Sequence, residues 1–242
     1  MNIKNKVVIV IGASSGIGLA TAVLLAKKSA KVVLAARSKD KLSKLAKKLP
    51  YSLAIPTDMT KENEIKQMIN SAKKHFGRID ILINNAGQGY DAPVESIDID
   101  TFHKLFSLDI VGPLIAMQQV IPIMRKQGGG TIVNISSGTA LMYLANMSAY
   151  SSLKKALAGI SLTAREELAK ENITVSVVYP YITLTDFEKN TIKDSSIRPE
   201  PEEENSGGPR PPDTAEYIAQ KILQGIESGE AEIFAHDWMK NL

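Results

Sequence analysis

The sequence predicts a doubly wound α/β fold: a parallel sheet of about seven strands with helices on both faces. Three observations carry this. Short, continuously apolar, β-branched runs alternate with longer segments of helical period. A glycine-rich turn joins the first such run to the first helical segment. The length of 242 residues, 44% apolar and 23% charged, suits one soluble globular domain over 1–242. Continuous apolar runs fit strands covered on both faces, and strictly alternating strands and helices imply right-handed crossovers in a parallel sheet.

The elements follow in order. Residues 6–11 form the first strand, ending at Gly12, and 19–29 the first helix. Between them lies Gly12-Ala13-Ser14-Ser15-Gly16-Ile17-Gly18. Strand, glycine turn and helix make a phosphate site: glycines allow close backbone approach, and the helix N-terminus offers free N–H groups and a positive dipole end. Residues 31–36 are the second strand. An acid at its end would hold ribose hydroxyls, whereas a base accommodates a 2′-phosphate. Here the end reads Ala36-Arg37, with Lys39 and Lys41 close by, which points to NADP(H) over NAD(H). The bland alternative is an exposed loop charge. A helix follows over 40–49, a third strand over 51–56, a helix over 61–76 and a fourth strand over 79–83. Asp58, just past the third strand, suits an adenine amino group or simply caps the next helix. The remaining strands are 130–136, 173–179 and 231–235, and the remaining helices 101–127, 148–171 and 213–226, the last capped by Asp213.

Composition excludes several classes. With no cysteine, disulfides, thiolate metal sites and cysteine nucleophiles are out. The three histidines lack ligand spacing, so no catalytic metal is expected. A net charge of +3, spread along the chain, is too diffuse for a nucleic-acid surface. The apolar run over 7–11 is too short for a signal-peptide core, so a cytoplasmic location is expected. The stretch 105–124 is nearly long enough to cross a bilayer, but carries Asp109, two glutamines and two prolines. A helix buried against the sheet is expected there, and no membrane partner.

Tyr150 and Lys154 stand at i and i+4, one above the other on a helix face. An ammonium near a phenol lowers its pKa, as a general acid/base requires. Taken with Gly12-x-x-x-Gly16-x-Gly18, Asn84-Asn85-Ala86-Gly87 and Ser137 thirteen residues before Tyr150, the pair resembles the short-chain dehydrogenase/reductase family, simple single-domain branch. The order and spacings match along the whole chain.

The resemblance implies a Rossmann-type fold and hydride transfer between nicotinamide C4 and a carbonyl or secondary alcohol. It places Tyr150 as catalytic acid/base, Lys154 on the nicotinamide ribose and Ser137 on the reacting oxygen. It assigns Gly12, Ser14, Ser15, Gly16, Ile17 and Gly18 to pyrophosphate and ribose, Arg37 to the 2′-phosphate, and Asp58 and Met59 to adenine. Asn85, Ala86 and Gly87 line the cofactor, and Pro180, Thr183 and Thr185 pass its nicotinamide end. The fourth catalytic position, usually Asn, is Asp109, whose charge is expected to weaken the pull of Lys154 on Tyr150 and shift the pH optimum. Ile11 replaces the usual Thr before the first glycine, and Tyr181 replaces the usual Gly after Pro180. A homodimer or homotetramer built on the helices over 101–127 and 148–171 is implied as well.

The expected substrate is a small carbonyl compound or alcohol. Leu141, Met142, Tyr143, Leu144 and Met147 are read as an apolar pocket wall or as ordinary loop packing. The Pro- and Glu-rich stretch 194–212 suits a mobile lid or a plain connector. Two alternatives remain: a reductase of thioester-bound 3-oxoacyl chains, using Arg125, Lys126 and Arg165 toward an acidic carrier, and an NADP(H)-binding regulatory protein with little turnover.

Overall fold

Strands covered on both faces must be apolar on both, and alternate residues must feed two separate cores. The computed structural model describes residues 2–195, 197 and 211–242 and shows both cores. In chain order it contains β1 (Val7–Ile11), α1 (Gly16–Lys27), β2 (Lys31–Ala36), α2 (Lys39–Ala46), β3 (Ser52–Pro56), α3 (Glu62–Phe76) and β4 (Ile81–Asn84). There follow α4 (Ile99–Phe106), α5 (Gly112–Lys126), β5 (Gly130–Ile135), α6 (Ser148–Leu168), β6 (Ile173–Tyr179), α7 (Ala215–Ser228) and β7 (Glu232–Phe234).

These seven strands form one parallel sheet in the order β3-β2-β1-β4-β5-β6-β7. Val8, Val10, Leu34, Ile83 and Val133 face α1, α2 and α7 through Leu25, Leu42 and Ile222. Their neighbours Val7, Ile9, Val33, Leu82 and Ile132 face α3, α5 and α6 through Ile69, Val120 and Leu168. The chain runs outward from β1 to β3 and returns to β4 on the far side of β1, so a crevice opens beyond the carboxyl ends of β1 and β4.

The run expected as a single helix over 101–127 is interrupted. Between α4 and α5 lies a π turn, Ser107–Val111. Pro113 has no N–H to offer the carbonyl of Asp109 four residues back, and its ring crowds that carbonyl, so the helix widens there. The whole run Ile99–Lys126 is long and apolar enough to cross a membrane. Here its Ala116, Met117, Val120 and Met124 lie in the sheet's second core.

Strand and helix ends otherwise move by a few residues, as fraying ends do. Asp213 does not cap α7. Thr214 does, accepting from the Tyr217 N–H at 3.1 Å, while the Asp213 carboxylate takes the His236 ring at 3.0 Å. The lid expected over 194–212 lies largely outside the described residues.

Candidate active site

At the end of β1 the backbone turns at Gly12, with φ +82°, and enters α1 at Gly16, with φ +50°. A Cβ on Gly12 would sit 2.8 Å from Asn85 Nδ2 and 2.9 Å from the Ala86 nitrogen. A Cβ on Gly18 would fall on the Gly12 carbonyl oxygen. The loop is thus a bare backbone cradle pressed onto the 85–86 segment beyond β4. The N-cap Ser15 makes no side-chain cap bond, so the first N–H groups of α1 are left for an anion. Ser14 and Ile17 are half-buried beside it.

At the other end of the crevice, Arg37 is exposed just past β2. Asp58 follows the neighbouring strand β3, and its Oδ1 accepts from the Thr60 N–H at 3.0 Å and the Thr60 hydroxyl at 2.8 Å. Burial raises the Asp58 carboxyl, but the Thr60 bonds and the charges of Lys61 and Arg37 leave it below the usual carboxylate range. Met59 is buried in the core, with its carbonyl against Gly112. A guanidinium, and no acid, thus stands just past the end of β2.

The chemical centre lies between β4, β5 and α6. Tyr150 is buried, and the Ser137 hydroxyl acts on its phenol, favouring the ionised form. Ser137 Oγ also accepts from Thr139 N–H at 3.2 Å and from Thr139 Oγ1 at 3.0 Å, which fixes its rotamer. The Lys154 ammonium stands 5.7 Å from the Tyr150 ring centroid. It donates to the Ile135 carbonyl at 3.3 Å and pairs with Asp109 Oδ1 at 2.7 Å. Both side chains of this pair are almost fully buried. A Cβ on Gly87 would meet Asp109 Oδ1 at 2.7 Å and Lys154 Nζ at 2.9 Å, so the ion pair itself demands glycine there.

Burial sets the titration of these groups. It pushes the Tyr150 phenol up, and the Asp109 charge pushes it further. Lys154 and the Ser137 bond pull it down without cancelling the burial. The spacing of Tyr150 and Lys154 led us to expect a phenol below its ordinary value; the net displacement is upward, because the ring is enclosed and Asp109 holds the ammonium. Burial alone would lower Lys154, but the Asp109 carboxylate, with a smaller contribution from Tyr150, more than offsets it and keeps the ammonium charged. Burial raises the Asp109 carboxyl, while Lys154 and the Gln88 N–H act against that rise.

The segment after β6 closes the cleft. The Pro180 carbonyl accepts from Gly138 N–H at 2.8 Å, beside Ser137. Thr183 Oγ1 donates to the Tyr181 carbonyl at 2.7 Å. Thr185 packs on the glycine loop, 3.1 Å from where a Gly16 Cβ would stand. The expectation placed Thr185 at the cofactor's nicotinamide end; here it touches the glycine loop. Tyr181 turns its ring toward the C-terminal tail, edge-on to Trp238 at 5.5 Å.

Sequence reasoning missed Phe187 and the clasp that holds it. Its ring lies 5.7 Å from that of Tyr150. Tyr90–Asp91 pairs in parallel with Ile192–Lys193, and the Ile192 N–H donates to the Gly89 carbonyl at 3.0 Å. These two-residue strands are too short for any periodicity to reveal. Asp91 was also missed: burial raises its carboxyl, and its charge reaches Tyr150. Of the expected apolar wall, Leu141 packs on the core, whereas Tyr143 is 93% exposed.

The family model for short chain dehydrogenases matches residues 6–196. "Uncharacterized oxidoreductase YxjF" of Bacillus subtilis (strain 168) is 37% identical over 197 residues, which is 80% of this chain and 77% of that protein. A 7α-hydroxysteroid dehydrogenase solved with NADH and 7-oxo glycochenodeoxycholic acid superposes with a TM-score of 0.86 at 28% identity, covering 96% of this chain and 93% of that one. A 3-ketoacyl-(acyl-carrier-protein) reductase from Brucella melitensis, solved with NADH, shares the fold with a TM-score of 0.87 at 22% identity, over 96% of this chain and 97% of its own. The glycine cradle, the Ser137–Tyr150–Lys154 cluster, the sheet order and these likenesses agree: the chain belongs to the short-chain dehydrogenase/reductase family, an oxidoreductase family that uses a nicotinamide cofactor.

Proposed function

We propose that this chain is an NADP(H)-dependent carbonyl reductase or alcohol dehydrogenase. The observation that carries the reading is the buried Tyr150 phenol, with the Ser137 hydroxyl and the Lys154 ammonium acting on it, in a fold that also carries a glycine cradle. When bound, the nicotinamide supplies or takes up hydride at its C4. Gly12, Gly16 and Gly18 admit the pyrophosphate to the N-terminus of α1, and Arg37 meets the 2′-phosphate. Ser137 holds the substrate oxygen beside the phenol. In reduction the carbonyl carbon gains hydride, and Tyr150 gives its proton to the oxygen, leaving an alcohol. Tyr150 then recovers a proton from solvent. In oxidation the phenolate form takes the proton instead. Lys154 steadies that phenolate, and Asp109 keeps Lys154 charged and in place.

The 7-oxo steroid in the related dehydrogenase supports a ketone substrate for this cleft. A reductase of thioester-bound 3-oxoacyl chains would use the same centre. Of the charges expected to face its carrier, Arg125 is paired with Glu171 at 2.7 Å, and Arg165 donates to the Val175 and Gly229 carbonyls at 2.8 Å. NADP(H) preference rests on Arg37 and on the lack of an acid at the end of β2.

The test is titration with NADPH and NADH, followed by NADPH oxidation against ketones, aldehydes and diketones. Tyr150→Phe is expected to cost about 10²–10⁴-fold in turnover with cofactor affinity retained. Arg37→Asp is expected to cost about 10–100-fold in NADPH affinity and spare NADH. Turnover indifferent to Tyr150→Phe would overturn the mechanism; equal losses for both cofactors would overturn the 2′-phosphate assignment.

A further inference from the structure

The C-terminal tail meets the turn after β6 through an aromatic cluster centred on His236. His236 Nε2 lies 3.0 and 3.1 Å from the two carboxylate oxygens of Asp213. Its ring stacks on Tyr217, with centroids 5.5 Å apart, and on Trp238 at 6.2 Å. The fourth aromatic of the cluster is Tyr181, edge-on to His236 at 5.9 Å. Tyr181 is the residue that departs from the family's usual glycine. It follows Pro180 and opens the segment that carries Thr183 and Thr185.

The contacts run from this cluster to the cofactor cradle. The Asp213 N–H donates to the Ile182 carbonyl at 2.7 Å, and Asp213–Thr214 pairs in register with Thr183–Leu184. His236 therefore grips the 181–184 stretch twice, through the Tyr181 ring and through Asp213. One step further, Thr185 rests on Gly16 and the Pro180 carbonyl bonds Gly138. The tail is itself anchored: the Tyr217 hydroxyl donates to the Ala235 carbonyl at 2.6 Å, and the Ala235 N–H to the Tyr179 carbonyl at 3.1 Å. Met239 fills the space beside Gly138, next to Ser137.

We propose that His236 is a positioning residue for the cofactor site. Held by Asp213 between Tyr217 and Trp238, it fixes Tyr181 and so aligns the turn 180–185 against the glycine loop. The bulky side chain after Pro180 is then a docking point for the tail. The inference rests on reading this cleft as the nicotinamide cofactor site.

The test measures NADPH and NADH affinity by fluorescence titration in wild type, His236→Ala, His236→Gln, Tyr181→Gly and the His236→Ala/Tyr181→Gly double variant, with melting temperature as the fold control. His236→Ala and Tyr181→Gly should each weaken the better-bound cofactor about fivefold to tenfold, and the double variant no further, since both cut one connection. His236→Gln keeps a flat donor toward Asp213 and should recover most of the affinity. In steady state, the KM for cofactor should rise more than kcat falls. A His236→Ala protein that melts earlier yet binds cofactor as wild type does would overturn the proposal, as would additive losses in the double variant. If His236→Ala does not fold, Tyr181→Gly and His236→Gln decide the matter on the same affinities. Failure of the wild type to bind either cofactor would overturn the functional reading itself, and this inference with it.

Discussion

Asp109 places a full negative charge beside the lysine that works on Tyr150. Because that charge raises the phenol, replacing it with a neutral amide should lower the phenol's pKa. Reduction needs the protonated phenol, so activity falls as pH rises through that pKa. In Asp109→Asn the alkaline fall should therefore begin at lower pH than in the wild type. In the oxidation direction the rise should begin at lower pH as well. An unchanged pH–rate profile would sink this account. Asp109→Ala leaves a buried ammonium without its counter-charge and should cost about 3–5 kcal/mol, read from the denaturant midpoint. Tyr150 and Lys154 stood out by their spacing, and Ser137 and Asp109 by the family resemblance. The 2.7 Å ion pair and the glycine requirement it places on Gly87 were not, because both depend on how the helix bearing Asp109 is wound.

Elements long enough to show a period were legible, whereas the pieces that close the site were not. The seven strands and the glycine turn announced themselves through continuous apolar runs and Gly12, Gly16 and Gly18. The clasp between Tyr90–Asp91 and Ile192–Lys193 has only two residues per strand, and its pairing is decided by tertiary contact. It holds the loop that sets Phe187 over Tyr150. Phe187→Ala should change kcat/KM for carbonyls with a bulky flank by about tenfold relative to a small aldehyde. A parallel change for all substrates would assign Phe187 to loop stability instead. Thr214, not Asp213, caps α7 because the carboxylate of Asp213 is engaged by a histidine 23 residues away, which no local rule reveals.

On the scale of the whole molecule, the sheet order brings residues from 12 to 187 to one edge, while the α4–α5 run shows an apolar face to the outside. Ile99 is 60% exposed and Phe106 42%, with Val111 exposed at the end of the π turn. We propose that this face joins copies of the chain, and that Phe106→Asp lowers the mass measured by sedimentation velocity. An unchanged mass would place the interface elsewhere. The π turn gives this surface a second meaning. Each residue of an α-helix advances the phase by about 100°. The widened turn carries one residue beyond the α count, so the two halves of the run are out of phase by that angle. Deleting Ile110 or Val111 would remove that offset, swing Asp109 off Lys154 and rotate Ile99 and Phe106 relative to the sheet. A single surplus residue thus keeps two clocks in step, one for the buried charge pair and one for the outer face.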